Sequence, residues 1–423
     1  MVKSLHAIGE ISTSEALDSD RRVRLEHAAD TSTAAGEEVE DVSRFTDQHR
    51  RSADAARATT RALAEPLEFP PLAAAIVPGD RIAIALDEAV PCAAGVVRGA
   101  VESLLSAGIE DEAISIVTRD AQTSQLCRAE LARDGENALD FVVHDPNDEY
   151  AVCIAGVTQR HGPLMVNRAI FDADVVLPIG CARLDDAGVY DSLFPRFSNA
   201  ETIQRLRMPS AVVAESSQAE RARETDEAGW LIGAPLVVEV VPGPDETVAH
   251  VLAGEPHAVA HKAEQLAQER WAARSPQRAS LVIATITGGA TAQHWNNVGR
   301  ALAAAERLVD EHGAVAICSN LEEPPGESLG RLIGSNDLAD TERRLLKDHA
   351  EDGWPAWQLA RALQRGPVYF LSQLSSETVE DLGMAPVADV EELMRLAGRH
   401  DSFIVLDDAQ HAVPTVDGEE DEI

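Results

Sequence analysis

Gly79–Asp120 reads GDRIAIALDEAVPCAAGVVRGAVESLLSAGIEDEAISIVTRD. From Arg81 to Leu86 isoleucine alternates with alanine, the period of a strand, and Asp87–Pro91 breaks that pattern. Between Ala94 and Ala107 the residues Val97, Val101, Leu104 and Leu105 recur on one helical face. Gly108 stops the helix, and Ile114 to Val117 is the next strand. Strand, loop, helix, strand is a parallel βαβ unit, so its first loop opens at a carboxyl edge, where open α/β sheets place their ligands. Chemistry is expected to begin at Asp87.

The same pattern returns later as strand Leu281–Ile286, a loop with Gly288 and Gly289, helix Asn296–Glu311 and strand Ala314–Cys318. A chain of 423 residues is long for one core, and the two patterns are read as one unit in each of two domains. Between them the sequence predicts a helix near Ser124–Asp134, a strand at Phe141–Val143 and a hairpin from Tyr150–Val157 and Pro163–Asn167. A buried strand, Ala173–Ile179, leads into a loop, Gly180–Ser198, long enough to line something. A helix around Gln218–Ala228, strands at Pro235–Val241 and Thr247–Ala253, and a helix at Glu255–Ala273 follow. The expected fold class is α/β, two domains, each a parallel or mixed sheet flanked by helices, with a cleft between them. The expected division is a flexible acidic segment 1–65, an N-terminal α/β domain 66–215, a C-terminal α/β domain 216–416 and an acidic tail 417–423. Within the first segment Phe45–Ala64 has helical character, ended by the prolines of EPLEFPP.

Thirty-six basic against 72 acidic residues give a net charge of −36, which repels phosphate backbones and anionic lipid and argues against nucleic-acid partners. Lysine stands only at 3, 262 and 347, and this arginine-for-lysine acidic composition suits a protein kept in solution at high salt. No run of eighteen apolar residues predicts a membrane span, and no apolar segment near Met1 predicts a secretory signal. The cysteines at 92, 127, 153, 181 and 318 are scattered singly, which fits reduced thiols in a cytoplasmic protein and neither a disulfide frame nor a zinc site.

The phrases PGDRIAIALDEAVP, VVHDPNDE, VNRAIFDADVVLPIG and AETI, followed by DEHGAVAICSN and WPAWQLARAL, resemble in order and spacing the nickel-dependent lactate racemase family, from about Pro66 to Val416. The resemblance implies a two-domain α/β protein that holds a nickel pincer nucleotide tethered to a lysine. It implies hydride exchange with a small 2-hydroxy acid, with histidines moving the hydroxyl proton and a histidine on nickel. Cations would hold the substrate carboxylate.

Position by position, this chain departs from that pattern. Where the family reads DHTRP, Asp87-Glu88-Ala89-Val90-Pro91 keeps Asp87 and Pro91 but replaces the histidine and arginine. Where it reads TGxHR, Thr118–Gln122 puts Ala121 at the proton-transfer histidine. The tether-lysine loop is shortened and falls on Gly180–Tyr190, with no lysine between Lys3 and Lys262, and the nickel histidine falls on Arg207. The later domain departs less: the family's glutamine and lysine fall on Asn297 and Arg300, and its tryptophan on Trp354.

Asp87, Asn297, Arg300 and Trp354 are therefore the candidates for holding a substrate or cofactor. Each has a plainer reading as well: Asp87 as a helix cap, Arg300 as a solvated cation, Trp354 as core. Asp185 and Asp186 read better as exposed loop acids than as metal ligands, and His144 better as a turn-stabilising side chain. His161, His257, His261, His294 and His312 have no partners at ligand spacing. The expectation is a racemase-family protein with a degenerate nickel-pincer site, or a silent module on the same fold that binds a small carboxylate or a partner.

Overall fold

The computed structural model describes residues 22–23, 25–27, 41–88, 90–132, 138–158, 162–183, 189–206, 215–335, 337–345 and 352–418, with backbone only for 26–27, 41–48 and 215–218. The chain forms two compact units. One comprises residues 32–267, and the other joins residues 1–31 to 268–423. Strand β1 (Glu26–His27) belongs to the second of these.

The first unit opens with helix α1 (Asp41–Ala64). Strand β2 (Ile82–Leu86), helix α2 (Ala93–Ser106) and strand β3 (Ile114–Thr118) follow, and β2 and β3 are parallel from Ile82↔Ile114 to Leu86↔Thr118. Next come helix α3 (Ala121–Leu131), strand β4 (Asp140–Val143), the antiparallel hairpin β5 (Val152–Thr158) with β6 (Gly162–Asn167), and strand β7 (Val175–Cys181). Helix α4 (Glu215–Ile232), strands β8 (Val237–Pro242) and β9 (Val248–Gly254), and helix α5 (Pro256–Trp271) complete it. The sheet order is β4-β3-β2-β7-β8-β9, parallel except for β9.

The alternation in IAIAL is the key to this unit. All five residues of β2 are buried, because both faces of the strand are covered. Ile82, Ile84 and Leu86 pack with Val97, Val101 and Leu104 of α2 in one core, while Ala83 and Ala85 lie on the other face with Val166, Leu193 and Phe197. Helix α1 lies against α2, and a Cβ on Gly99 would fall 2.3 Å from the Ala56 carbonyl oxygen. This contact makes 41–64 part of the folded unit, with Ala55 and Leu63 in its core. The other residues of the segment expected to be flexible lie outside the described ones, apart from 22–23, 25–27 and Glu65.

The expected boundary at 215/216 is not where the compact units divide. Strand β8 pairs with β7 at Ile179↔Val238 and completes the first sheet, so the unit runs to Ala267. The run VVEVVP has the buried composition of a sheet interior, and it closes the edge that β7 would otherwise leave open.

The second unit contains β10 (Ala272–Ser275), β11 (Ala279–Thr285), helix α6 (Trp295–Leu308) and β12 (Val309–Cys318). Helix α7 (Gly353–Arg365), β13 (Val368–Leu371), β14 (Ala385–Pro386), helix α8 (Val390–Ala397), β15 (Phe403–Leu406) and β16 (Val413–Val416) follow. Its main sheet, β14-β13-β12-β11-β15, is wholly parallel, and β1-β10-β16 form a small second sheet. Among the described residues no helix is long and apolar enough to cross a membrane.

Candidate functional site

In the first unit β2, β3 and β7 end side by side, and each hands a charged residue to the same edge. Asp87 and Glu88 follow β2, Arg119 follows β3 and Arg183 lies two residues beyond β7. A further segment, 189–199, is anchored by the fully buried Leu193, Phe194 and Phe197, and it brings Asp191 and Arg196 to this edge.

Asp87 is 2% exposed. Arg183 Nη1 donates to its Oδ2 at 3.1 Å, while Nη2 of the same guanidinium donates to the Glu88 carbonyl at 2.7 Å. Arg196 Nε stands 3.8 Å from Asp87 Oδ1, an ion pair too long for a hydrogen bond, and Oδ1 is buried without a donor. The carboxylate of Glu88 is split between two cations. Oε2 is 3.1 Å from Arg119 Nη1 and Oε1 is 3.5 Å from Arg196 Nη1. Arg196 also donates through Nε to the Asp191 carbonyl, and Asp191 Oδ2 pairs with Arg221 at 3.4 Å.

Asp87 therefore does not cap α2. The N-cap of that helix is Cys92, in a left-handed conformation with φ 50°, and no side chain caps it. Buried charges of this kind persist only when they are paired and hydrogen-bonded, which the arginines supply.

His144 follows β4, and both of its ring nitrogens are used. Nε2–H donates to the Ser198 carbonyl at 2.8 Å, and Nδ1 accepts from Asn167 Nδ2 at 3.1 Å. Burial pushes its pKa down to about 4, against the upward pull of the Ser198 carbonyl. It is a neutral clamp between the hairpin and segment 189–199.

The other three candidates come together in the second unit. Asn297 Nδ2 donates to the Ala292 carbonyl at 2.9 Å, and its Oδ1 accepts from Arg300 Nη1 at 3.1 Å. The Arg300 guanidinium lies 5.8 Å from the centre of the Trp354 ring. Gly299 makes this stack possible, because a Cβ there would fall 2.8 Å from the Trp354 ring. The indole N–H of Trp354 is buried without an acceptor. Arg300 is thus a cation oriented by Asn297 over the face of a buried indole. Close by in the chain, Gln293 ties the loop together. Its amide NH2 faces the carbonyls of Ile286, Thr287 and Gly288, and its oxygen accepts from Ser319 Oγ at 2.7 Å and Asn320 N at 2.8 Å.

The sequence did not single out Arg119, Arg183, Arg196, Arg221, Asp191 or Gln293. Arg119 and Arg183 carry one legible signal, a cation at or just past the carboxyl end of a parallel strand. Arg207, Asp185, Asp186 and His161 lie outside the described residues.

The described residues do not fit a lysine-tethered nickel group. By the resemblance, the family's imidazoles would fall on Glu88, already ion-paired, on Ala121, which opens α3 behind its cap Asp120, and on Arg207, outside the described residues. The unit's Lys262 belongs to α5 and donates to Gln265 at 3.0 Å. Among the described residues no group of three or more His, Cys, Asp or Glu side chains is placed to hold a metal ion.

Residues 35–204 match the model of the lactate racemase N-terminal domain. No curated protein sequence matches the chain. Its fold is similar to that of the lactate racemase apoprotein from Thermoanaerobacterium thermosaccharolyticum, with a TM-score of 0.69 and 19% identity over 85% of this chain and 92% of that one. It is also similar to a structural-genomics protein from Thermotoga maritima, with a TM-score of 0.64 and 12% identity over 86% and 98% of the two chains. The family's N-terminal domain thus matches the earlier part of the chain, and the chain shares the fold of the lactate racemase apoprotein over most of its length.

Proposed function

We propose that this protein keeps the lactate racemase scaffold without the family's nickel-pincer catalysis, and that it binds small carboxylates, such as 2-hydroxy acids, in the cytoplasm. The observation that supports this reading most is the state of Glu88 and its neighbours. Where hydride exchange needs histidines, the chain has a carboxylate paired with Arg119 and Arg196 and an alanine at 121. Removing a positioned acid–base group typically slows a reaction about 10²- to 10⁴-fold, and here several such groups are replaced together. Arginines at a carboxyl edge remain suited to carboxylates, as does Arg300 over Trp354.

A second reading, a racemase or epimerase acting on a small 2-hydroxy acid with a rebuilt site, draws on the less altered trio Asn297, Arg300 and Trp354. The two readings separate when the protein is made in cells that synthesise the pincer nucleotide. Intact mass, metal content, visible absorption and D-lactate racemisation are then measured. Unmodified mass, no nickel and no racemisation are expected, and bound nickel with an added nucleotide mass overturns the first reading. If Arg300→Ala leaves the binding of D-lactate unchanged, Arg300 is not the carboxylate anchor.

A further inference from the structure

We propose that Arg119 and Arg196 form a carboxylate subsite whose resident occupant is the side chain of Glu88, so that Glu88 acts as a tethered, displaceable anion. The proposal deepens the carboxylate-binding reading above and rests on it. Its geometry is that of a bound ligand. The two oxygens of one carboxylate each face a different guanidinium, Oε2 to Arg119 at 3.1 Å and Oε1 to Arg196 at 3.5 Å. A free carboxylate presents the same pair of oxygens, and guanidinium groups bind such pairs preferentially.

The backbone and side chain of Glu88 are held by different groups. Arg183 Nη2 fixes the carbonyl at 2.7 Å, so the loop stays in place while the side chain turns. The Glu88 side chain is 28% exposed, against 1% for Asp87, which gives it an exit to solvent that its neighbour lacks. Arg196 reaches both carboxylates, at 3.8 Å to Asp87 Oδ1 and 3.5 Å to Glu88 Oε1. A ligand that displaces Glu88 therefore comes to rest beside Asp87 Oδ1, a buried acceptor without a donor. A small carboxylate carrying a hydroxyl next to the acid group satisfies both needs: its oxygens take the arginines and its hydroxyl donates to Asp87.

The test is calorimetric titration of the full chain, at verified unmodified mass and fixed ionic strength, with sodium glycolate and with sodium acetate. Glu88→Ala is expected to bind glycolate at least about tenfold more tightly than the unaltered protein, a difference of ~1.4 kcal/mol. Glu88→Gln, which keeps the shape and drops the charge, is expected to fall between them. Adding Arg119→Ala to Glu88→Ala is expected to remove the gain. Equal glycolate affinity in the folded variants, or a gain that survives the added Arg119→Ala, overturns the proposal. Equal affinity for acetate and glycolate overturns the role given to Asp87. If both Glu88 variants lose the fold by thermal melting, Glu88 is a packing residue and the tethered-ligand assignment fails. Nickel found in the unaltered protein would sink the functional reading instead, without touching this comparison.

Discussion

His144 and Glu306 show how single buried groups tie stability to pH. For His144 the folded pKa, about 4, lies below the ordinary value of 6.5, so the unfolded chain takes up a proton first as the solution is acidified. The stability this residue contributes is present above about pH 6.5 and is lost as the pH falls towards 4. His144→Gln should cost about 1–3 kcal/mol at neutral pH, by leaving Ser198 and Asn167 short of a partner, and should flatten the melting midpoint across that window. Thermal melts of both proteins from pH 4 to 8 check it. Glu306 has the opposite sign. It is 6% exposed between Arg361 at 3.2 Å and Arg365 at 3.9 Å, yet burial raises its pKa in spite of both arginines. Its contribution is favourable below the usual carboxylate range and is lost as the pH rises through the raised value. Glu306→Gln should raise the midpoint at pH 8 by about 2–4 °C, the shift ~1 kcal/mol produces in a unit of this size, with the gain fading in acid. An unchanged or lower midpoint at pH 8 would contradict this. At this scale Asp87 was legible as a strand-end acid, but its partner Arg183 stands 96 positions along the chain, and no local pattern reports such a pairing.

Among elements, the pairing of α1 with α2 is set by two absent side chains. A Cβ on Gly95 would come within 2.4 Å of the Ser52 carbonyl oxygen, and one on Gly99 within 2.3 Å of that of Ala56. Since the obstacles are backbone atoms, nothing can swing aside. Gly99→Val should therefore cost about 3 kcal/mol or more, at or above the usual range for overpacking, whereas Gly79→Ala, with nothing within 4 Å, tests only the strain of its φ of +102°. Urea denaturation of the two variants separates these costs. The sequence revealed β2, α2 and β3 almost to the residue because each has its own period and a clear stop. It also marked β8 and β9 as strands, but hydrophobic period says nothing about which sheet a strand joins. Only the register Ile179↔Val238 assigns them to the first unit. The period of Val309 carries the predicted helix to Glu311, three residues past the end of α6, but the backbone at Val309 is already extended and pairs with Ala279.

For the whole molecule, the excess of 72 acids over 36 bases sets the response to salt. Self-repulsion among surface carboxylates opposes the compact state, and it is screened over about 10 Å at 0.1 M salt but about 3 Å at 1 M. The melting midpoint should climb as potassium chloride is raised through this range, and a flat curve would remove the high-salt reading. The fold shared with the lactate racemase apoprotein persists at 19% identity because it depends on buried period and close approach more than on any reactive side chain.

The sheet β1-β10-β16 has a consequence for how the polypeptide comes together. Glu26 lies opposite Arg274, and Ala272 lies opposite Val413, so three stretches separated by most of the chain meet in one ribbon. During synthesis, residues 32–267 can settle while the stretch at 26–27 waits for its partner β10, which is itself joined by β16 only near the end of the chain. A lesion near Glu26 will therefore be felt in the unit built from the final third of the message, and hardly at all in the domain that follows it in sequence.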